Sequence, residues 1–269
     1  MLHDDDTCDT AGSVSAGRNT FLDHDVEAAV YDATRGGAPR AAAAAAAVLS
    51  LVPDTARALL DIGCGTGLVT ERLGRPGLRV LGADSSPGMA RMAAGRVEGV
   101  VLADARRLPL PDASVDAVSA VWLLHLVPDA RTAVAEAARV LRPGGVFVTT
   151  VDKDAGHDVG SDIDAVLAPY RTARAYDRAA RIEAFAAAHG LGPAGETHFT
   201  GHGLGRSPRR TAQALLRGEY ASRLTARGAV AEKLAAELSA LPEPDEPRAE
   251  PRYRVLALRR SSASSPPPH

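Results

Sequence analysis

Three glycines at alternate positions, Gly63, Gly65 and Gly67, follow an apolar run that carries a single acid, Asp61. Glycine reaches backbone conformations closed to other residues and lets the main chain approach a ligand closely. Two more carboxylates follow at intervals: Asp84, after Arg79-Val80-Leu81-Gly82-Ala83, and Asp104, after Val100-Val101-Leu102-Ala103. An acid ending a second strand can accept hydrogen bonds from both hydroxyls of a ribose. An acid ending a third can accept from the exocyclic amine of a base. Together these groups suit a small nucleoside. His125, in Trp122-Leu123-Leu124-His125-Leu126, is the candidate general base, because an imidazole changes charge near neutral pH. A histidine that only packs and hydrogen-bonds at a strand end is the competing explanation.

Spacing narrows the ligand. The glycines read G-x-G-x-G, with Leu68 breaking the G-x-G-x-x-G dinucleotide fingerprint. No Lys-Ser/Thr pair follows the turn, which excludes a P-loop.

The elements that must position these groups alternate in type. Ala58–Ile62, Arg79–Ala83, Glu98–Leu102, Val115–Val121 and Gly145–Val151 read as short apolar strands. Ala41–Leu51, Gly67–Leu73, Ser86–Gly95 and Asp129–Leu141 read as helices between them. Strands alternating with helices predict a parallel sheet covered on both faces, with right-handed crossovers. After Val151 the rhythm changes. Ser161–Tyr176, Arg178–His189 and most of Pro208–Leu241 read as helix; Gly195–Gly201 and Arg252–Leu258 read as strands.

Composition sets the bounds. The chain has 269 residues, 45% hydrophobic and 4% aromatic, enough for a sizeable core but poor in base-stacking side chains. Net charge is −2, so no whole-protein basic field exists to hold nucleic acid. No apolar run approaches the roughly 20 residues of a membrane span. Met1 to Asp6 is acidic and lacks the apolar stretch of a secretory signal, and Cys8 and Cys64 cannot build a disulfide framework. A cytoplasmic setting is expected. Only Lys153 and Lys233 are lysines, an arginine bias that reads as genome composition.

The motifs taken in order resemble the class I S-adenosylmethionine-dependent methyltransferases, in the small-molecule branch of ubiquinone/menaquinone-type enzymes. The stretch from about Leu59 to Val151 carries Leu60-Asp61-Ile62-Gly63-Cys64-Gly65-Thr66-Gly67, Gly82-Ala83-Asp84-Ser85-Ser86 and Ala103-Asp104-Ala105. It continues with Leu108-Pro109-Leu110-Pro111, Ser114-Val115-Asp116-Ala117-Val118 and Glu136-Ala137-Ala138-Arg139-Val140-Leu141-Arg142-Pro143-Gly144-Gly145. The resemblance implies a Rossmann-like α/β fold with a seven-stranded, mostly parallel sheet, an antiparallel last strand and a helical cap. It implies that S-adenosyl-L-methionine is the cofactor. Asp61, Gly63, Gly65 and Gly67 would then hold the methionine portion and approach the sugar. Asp84 would take the ribose, with Ser85 beside it. Asp104 with the Ala105 backbone would hold adenine, and Val121 and Trp122 would flank the cofactor. Asp116 reads as part of the strand-four turn. Val30-Tyr31-Asp32 resembles a segment that folds over the cofactor, placing Tyr31 there; a helix-packing tyrosine is the plainer alternative, because the continuation Thr34 to Pro39 departs from the family pattern.

The expected organisation is a mobile segment 1–20, a methyltransferase domain 21–260 and a disordered tail 261–269. Within the domain the core takes about 41–155, 178–205 and 252–260, and the cap takes 21–40, 156–177 and 206–241. Acceptor contacts are expected in the later half, where His157, Tyr170, His198, His202 and Tyr220 fall. His198 and His202 would share a strand face, but with Asp152, Asp154 and Asp158 they match no metal-ligand spacing, so no metal is expected. Arg206, Arg209, Arg210 and Arg217 read as one solvated helix face, with an acidic substrate as the alternative. The expected activity is methyl transfer to an O, N or C atom of a small organic acceptor, in specialised metabolism. The alternatives are an S-adenosylmethionine-binding protein without transfer, such as a rearrangement catalyst, and a nicotinamide-dependent oxidoreductase.

Overall fold

Strand β1, Ala58–Ile62, is buried at every position, as a central strand covered on both faces must be. The computed structural model describes residues 31–32, 35–172, 176–221 and 223–262. The expected mobile segment 1–20 lies outside them, as does all but the start of the tail. Around β1 lie β2 (Arg79–Asp84), β3 (Gly99–Leu102), β4 (Val115–Ala120) and β5 (Leu141–Val151). The sheet is completed by β6 (Leu191–Thr200) and β7 (Arg252–Arg260). The order is β3-β2-β1-β4-β5-β7-β6, with β1 to β5 parallel and β7 antiparallel to both its neighbours. Strand order reverses between β1 and β4, so the crevice beyond their carboxyl ends is where such a sheet holds ligands.

Side-chain alternation divides the core in two. Leu60 and Ile62 of β1 join Val118, Phe147 and Leu256 under α3 (Ala130–Val140) and α6 (Ala179–Ala187). Leu59 points the other way, toward Val146, Val148 and Val255 under α1 (Gly37–Leu49). Helix α1 buries Ala41, Ala44, Ala45 and Val48, a stripe at helical spacing. It begins four residues before the expected Ala41. Helix α2 (Pro87–Ala94) is capped by Ser86, whose Oγ accepts the Met89 N–H at 3.1 Å.

A third apolar cluster lies apart from the sheet. Ile163 and Leu167 of α5 (Asp162–Leu167) meet Leu215 of α7 (Pro208–Leu216) and Leu234 and Leu238 of α8 (Ala229–Ser239). A short helix, α4 (Lys153–Gly156), leads from β5 toward it.

The motif pieces are mechanically linked. Glu136 of α3 accepts the Leu108 N–H at 2.7 Å, and Arg139 donates to the Leu108 and Leu110 carbonyls. The α3 pair therefore holds the Leu108-Pro109-Leu110-Pro111 loop. Asp116 accepts the Arg57 and Ala58 N–H groups and pairs with Arg142 at 2.6 Å, a stitch from β4 to the start of β1.

Several expected helices are shorter. Gly67–Leu73 yields only a 3-10 turn, Thr70–Arg72, because Gly67 sits at φ +81° and Gly74-Arg75-Pro76 ends the segment. The loop therefore lacks a full helix dipole of the kind that binds phosphate. Pro169 converts the end of the expected Ser161–Tyr176 helix into a 3-10 turn, Ala168–Tyr170. Residues 217–228 break Pro208–Leu241 into α7 and α8.

Candidate functional site

The glycine loop hangs from the top of β2. Gly63 and Cys64 donate to the Ala83 carbonyl at 2.7 and 3.1 Å. Gly65 donates to Asp84 Oδ2 at 2.8 Å, while Ser86 donates to Oδ1 at 2.9 Å. Each oxygen of Asp84 thus keeps one lone-pair direction for a further donor. The three glycines, all at positive φ, do different work. A Cβ on Gly63 would lie 2.6 Å from Leu123 Cδ1, and one on Gly67 would lie 3.0 Å from Ala93 Cα. A Cβ on Gly65 would meet nothing within 4 Å. Gly65 is therefore the position where main chain faces open space.

Asp61 is buried at 2% exposure and accepts from Thr70 Oγ1 and Ser119 Oγ, both at 2.6 Å. Burial pushes its pKa up to about 6 against those two hydrogen bonds. Asp104 lies two residues beyond the end of β3 at Leu102, and the Arg106 side chain grips its carboxylate through both oxygens. That grip holds its pKa below the ordinary value. An amine reaching Asp104 must share it with Arg106. Asp104 is linked to Asp84 through the main chain, since Ala103 donates to the Asp84 carbonyl at 2.8 Å. Ser85 is exposed beside Asp84, and Ala105 is half-buried beside Asp104.

The segment at 31–32 closes over the loop. Asp32 accepts Thr66 Oγ1 at 2.6 Å and pairs with Arg96 at 2.8 Å, and Arg96 also donates to the Thr66 carbonyl at 2.9 Å. Tyr31 lies under Arg35, whose guanidinium carbon is 5.5 Å from the ring centroid. Arg40 stacks on Trp122 at 3.9 Å. Trp122 itself adopts φ +55°, strained for a bulky residue, with its N–H held by Thr150 Oγ1 at 2.7 Å. Its ring packs edge-on against Phe199 and Tyr253.

Two cavities meet at this wall. The first is lined by Tyr31, Asp61, Gly63, Gly65, Val121 and Trp122 among others. The second, of about 130 Å³, shares Tyr31, Arg35, Arg40 and Trp122 and adds His125, Lys153, His157, Arg223 and Tyr253. Six of the expected site residues thus surround one cavity, and His125 faces its neighbour. Gly67, Asp84, Ser85, Asp104 and Ala105 lie outside both linings, along the tips of β1 to β3.

His125 has a partner the sequence did not suggest: Lys153 Nζ is 2.5 Å from its Nε2. Burial, with Arg223 nearby, brings the Lys153 pKa down to about 7. His157 contacts the Tyr253 hydroxyl at 3.1 Å and falls to about 3, from burial and then Arg223, Arg206 and Lys153. Burial also raises Tyr253 to about 12. The other expected groups are elsewhere. His202 pairs with Glu250 at 2.9 Å, in a turn beyond the end of β6. Arg206, Arg209 and Arg217 are each paired, with Asp164, Asp245 and Glu219. Among the described residues no group of three or more His, Cys, Asp or Glu could hold a metal.

Sequence reasoning missed Asp32, Arg40, Lys153, Arg223 and Tyr253. Two signals were available: Asp32 follows Tyr31 in the same short motif, and Lys153 is one of two lysines in the chain.

The geometry fits an adenosyl amino acid. Asp84 offers two acceptors for adjacent hydroxyls, and Gly65 leaves room against the main chain. Arg40 Nε and Trp122 Nε1 are buried without a hydrogen-bond partner, two donors at the wall between the cavities. The family model for the methyltransferase domain matches residues 60–149, the stretch that builds this site. The chain carries a class I S-adenosylmethionine-dependent methyltransferase domain. S-adenosylmethionine is the cofactor that this methyltransferase domain implies.

An uncharacterised methyltransferase of Mycobacterium tuberculosis is 45% identical over 97 residues, covering 35% of this chain and 40% of that protein. A malonyl-acyl-carrier-protein O-methyltransferase of Hahella chejuensis is 41% identical over 96 residues, covering 34% of each. The aligned regions thus span well under half of these relatives' lengths. The solved structure of the (4+2)-cyclase SpnF has the same fold, with a TM-score of 0.58 at 20% identity over 89% of this chain and 95% of that one.

Proposed function

We propose that the protein transfers a methyl group from S-adenosylmethionine to an O, N or C atom of a small organic acceptor in the cytoplasm, in specialised metabolism. The observation that carries the reading is the juncture of the two cavities at Trp122, Arg40 and Tyr31. One cavity has the open Gly65 and the buried Asp61, with Asp84 and Asp104 beyond it along the strand tips, and the next has the His125–Lys153 pair for the acceptor. The domain organisation belongs to the same proposal: core 41–155, 178–205 and 252–260 within 21–260, with the helices around 156–177 and 206–241 as cap.

The cofactor supplies a reactive sulfonium methyl. The chain's part is alignment and exclusion of water. Asp84 takes the ribose hydroxyls, with Ser85 at its rim; Asp104 and the Ala105 backbone take the adenine. Asp61, Gly63, Gly65 and Gly67 shape the floor under the methionine portion. Tyr31, with Asp32 pinning its segment to Thr66, covers it, and Val121 and Trp122 wall it from the acceptor. His125, in contact with Lys153, takes the proton of an acceptor hydroxyl or ammonium. Above the Lys153 pKa of about 7 the amine beside His125 is neutral, so no ammonium charge opposes that transfer.

Fold likeness to a cyclase favours a second reading, catalysis of a rearrangement without transfer. Release of adenosylhomocysteine from adenosylmethionine on adding acceptors tests the choice. Turnover-linked release supports methyl transfer; acceptor conversion without release supports the alternative. A nicotinamide cofactor has less support, since Leu68 breaks its glycine pattern.

A further inference from the structure

Three costs meet at the wall between the two cavities. Arg40 Nε is buried without a hydrogen-bond partner, and so is Trp122 Nε1. A buried donor without an acceptor forfeits its hydration and gains nothing in return. Trp122, only 9% exposed, also sits at φ +55°, where a bulky side chain is strained. The two side chains touch, with the Arg40 guanidinium carbon 3.9 Å from the indole centroid. That stack offsets part of the cost but offers neither N–H an acceptor. Burial disfavours the Arg40 charge, and the groups that favour it most are Tyr31 and Tyr253 rather than a carboxylate. Arginine cannot shed its proton in response.

Strain and orphaned donors persist where function uses them. Arg40 and Trp122 each line both cavities, so their stack is part of the shared wall. An adenosyl amino acid brings to the first cavity a carboxylate, the group of that ligand that matches a guanidinium. Arg35 lines both cavities as well, but Arg40 is the one with a buried donor unmet. We propose that Arg40 holds this carboxylate and leaves the face of Trp122 to do so, so that filling the cofactor cavity uncovers the indole at the boundary with the acceptor cavity. The guanidinium then exchanges a ring stack for charge-assisted hydrogen bonds, with its orphaned Nε among the donors. Arg40 is thereby both the anchor of the amino-acid end and the latch that couples the two cavities. The inference rests on the adenosyl-ligand reading of the first cavity and adds how occupancy there prepares the second.

The test titrates the full chain with adenosylhomocysteine and with its decarboxylated analogue, which keeps the adenosine, the sulfur and the amine. Calorimetry reads affinity, and the emission of Trp122, the only tryptophan of the chain, reads whether Arg40 still covers it. Adenosylhomocysteine is expected to bind about tenfold more tightly or better, as a charge-assisted contact requires, and to shift the emission. The analogue at saturation should leave the emission near that of the free protein. Arg40→Gln should erase most of the preference and show, without ligand, the emission that adenosylhomocysteine induces in the wild type. Arg209→Gln, at a surface pair with Asp245, should alter neither. Equal affinity for the two ligands, or an emission that adenosylhomocysteine leaves unmoved or that both ligands move alike, overturns the inference in the wild-type chain alone. A preference that survives in folded Arg40→Gln overturns it as well, and each of these results leaves methyl transfer standing. Absence of adenosylhomocysteine binding overturns the methyl-transfer reading and the inference with it.

Discussion

Replacing Asp84 by alanine probes the ribose grip and the loop that frames it. In the protein the carboxylate accepts Gly65 N–H at 2.8 Å and Ser86 N–H at 2.9 Å, leaving one direction on each oxygen for a hydroxyl. A hydrogen bond to a charged group contributes about 1.5–3 kcal/mol. Two of them at a half-buried carboxylate, taken at the lower bound, make about 3 kcal/mol, or roughly a hundredfold in Kd. The two main-chain donors released by the substitution are partly reached by water, so stability should drop by only about 1–2 kcal/mol, seen as a modest fall in Tm. Calorimetric titration with adenosylhomocysteine and a thermal melt of the same samples separate the two effects. Asp84→Asn should fall between, because its amide retains one acceptor but sets an N–H₂ against a main-chain donor. Affinity within twofold of wild type in Asp84→Ala, alongside the lowered Tm, would refute the ribose assignment.

Asp32→Ala removes the tie to Thr66 and Arg96 and should weaken cofactor binding about tenfold with little change in Tm; a large Tm loss at unchanged affinity would make Asp32 a stability residue instead. The raised pKa of Asp61 means that the unfolded chain ionises first as pH rises from about 4, so this group lowers stability progressively up to about pH 6, by at most about 3 kcal/mol. Asp61→Asn should flatten that decline in a pH series of melts, and an unaltered series would contradict the buried, protonated acid. For the proton-accepting pair, single-turnover rates should climb as pH rises through about 7 where the acceptor is a hydroxyl or ammonium. Lys153→Met should remove that limb, and a climb that persists would assign it to another group.

Much of the fold was legible because its signals are local. The β1 boundaries emerged intact, since an apolar run closed by Gly63 leaves little choice, and β2, β3 and α2 shifted by no more than a residue or two. Elements governed by packing over distance were less so. Nothing near Leu191 marks it as the start of β6; pairing with Arg260 across the sheet does. Gly67–Leu73 looked helical by composition, yet the φ of Gly67 and the close approach of Ala93 decided otherwise. The position of Asp84 at the end of β2 was likewise legible, because Arg79-Val80-Leu81-Gly82-Ala83 leads straight into it. Lys153 against His125 was not, because that contact joins positions 28 residues apart. The basic lining of the second cavity was hidden for the same reason: Arg40, Lys153 and Arg223 converge only in three dimensions.

The account turns on where an adenosyl ligand sits. A crystal structure of the protein with adenosylhomocysteine should show both ribose hydroxyls on Asp84, the sugar against the Gly65 main chain, and the sulfur toward Trp122 and the cavity holding His125 and Lys153. Electron density for the ligand away from the β1–β2 tips, or at those tips with the hydroxyls turned from Asp84, would contradict it.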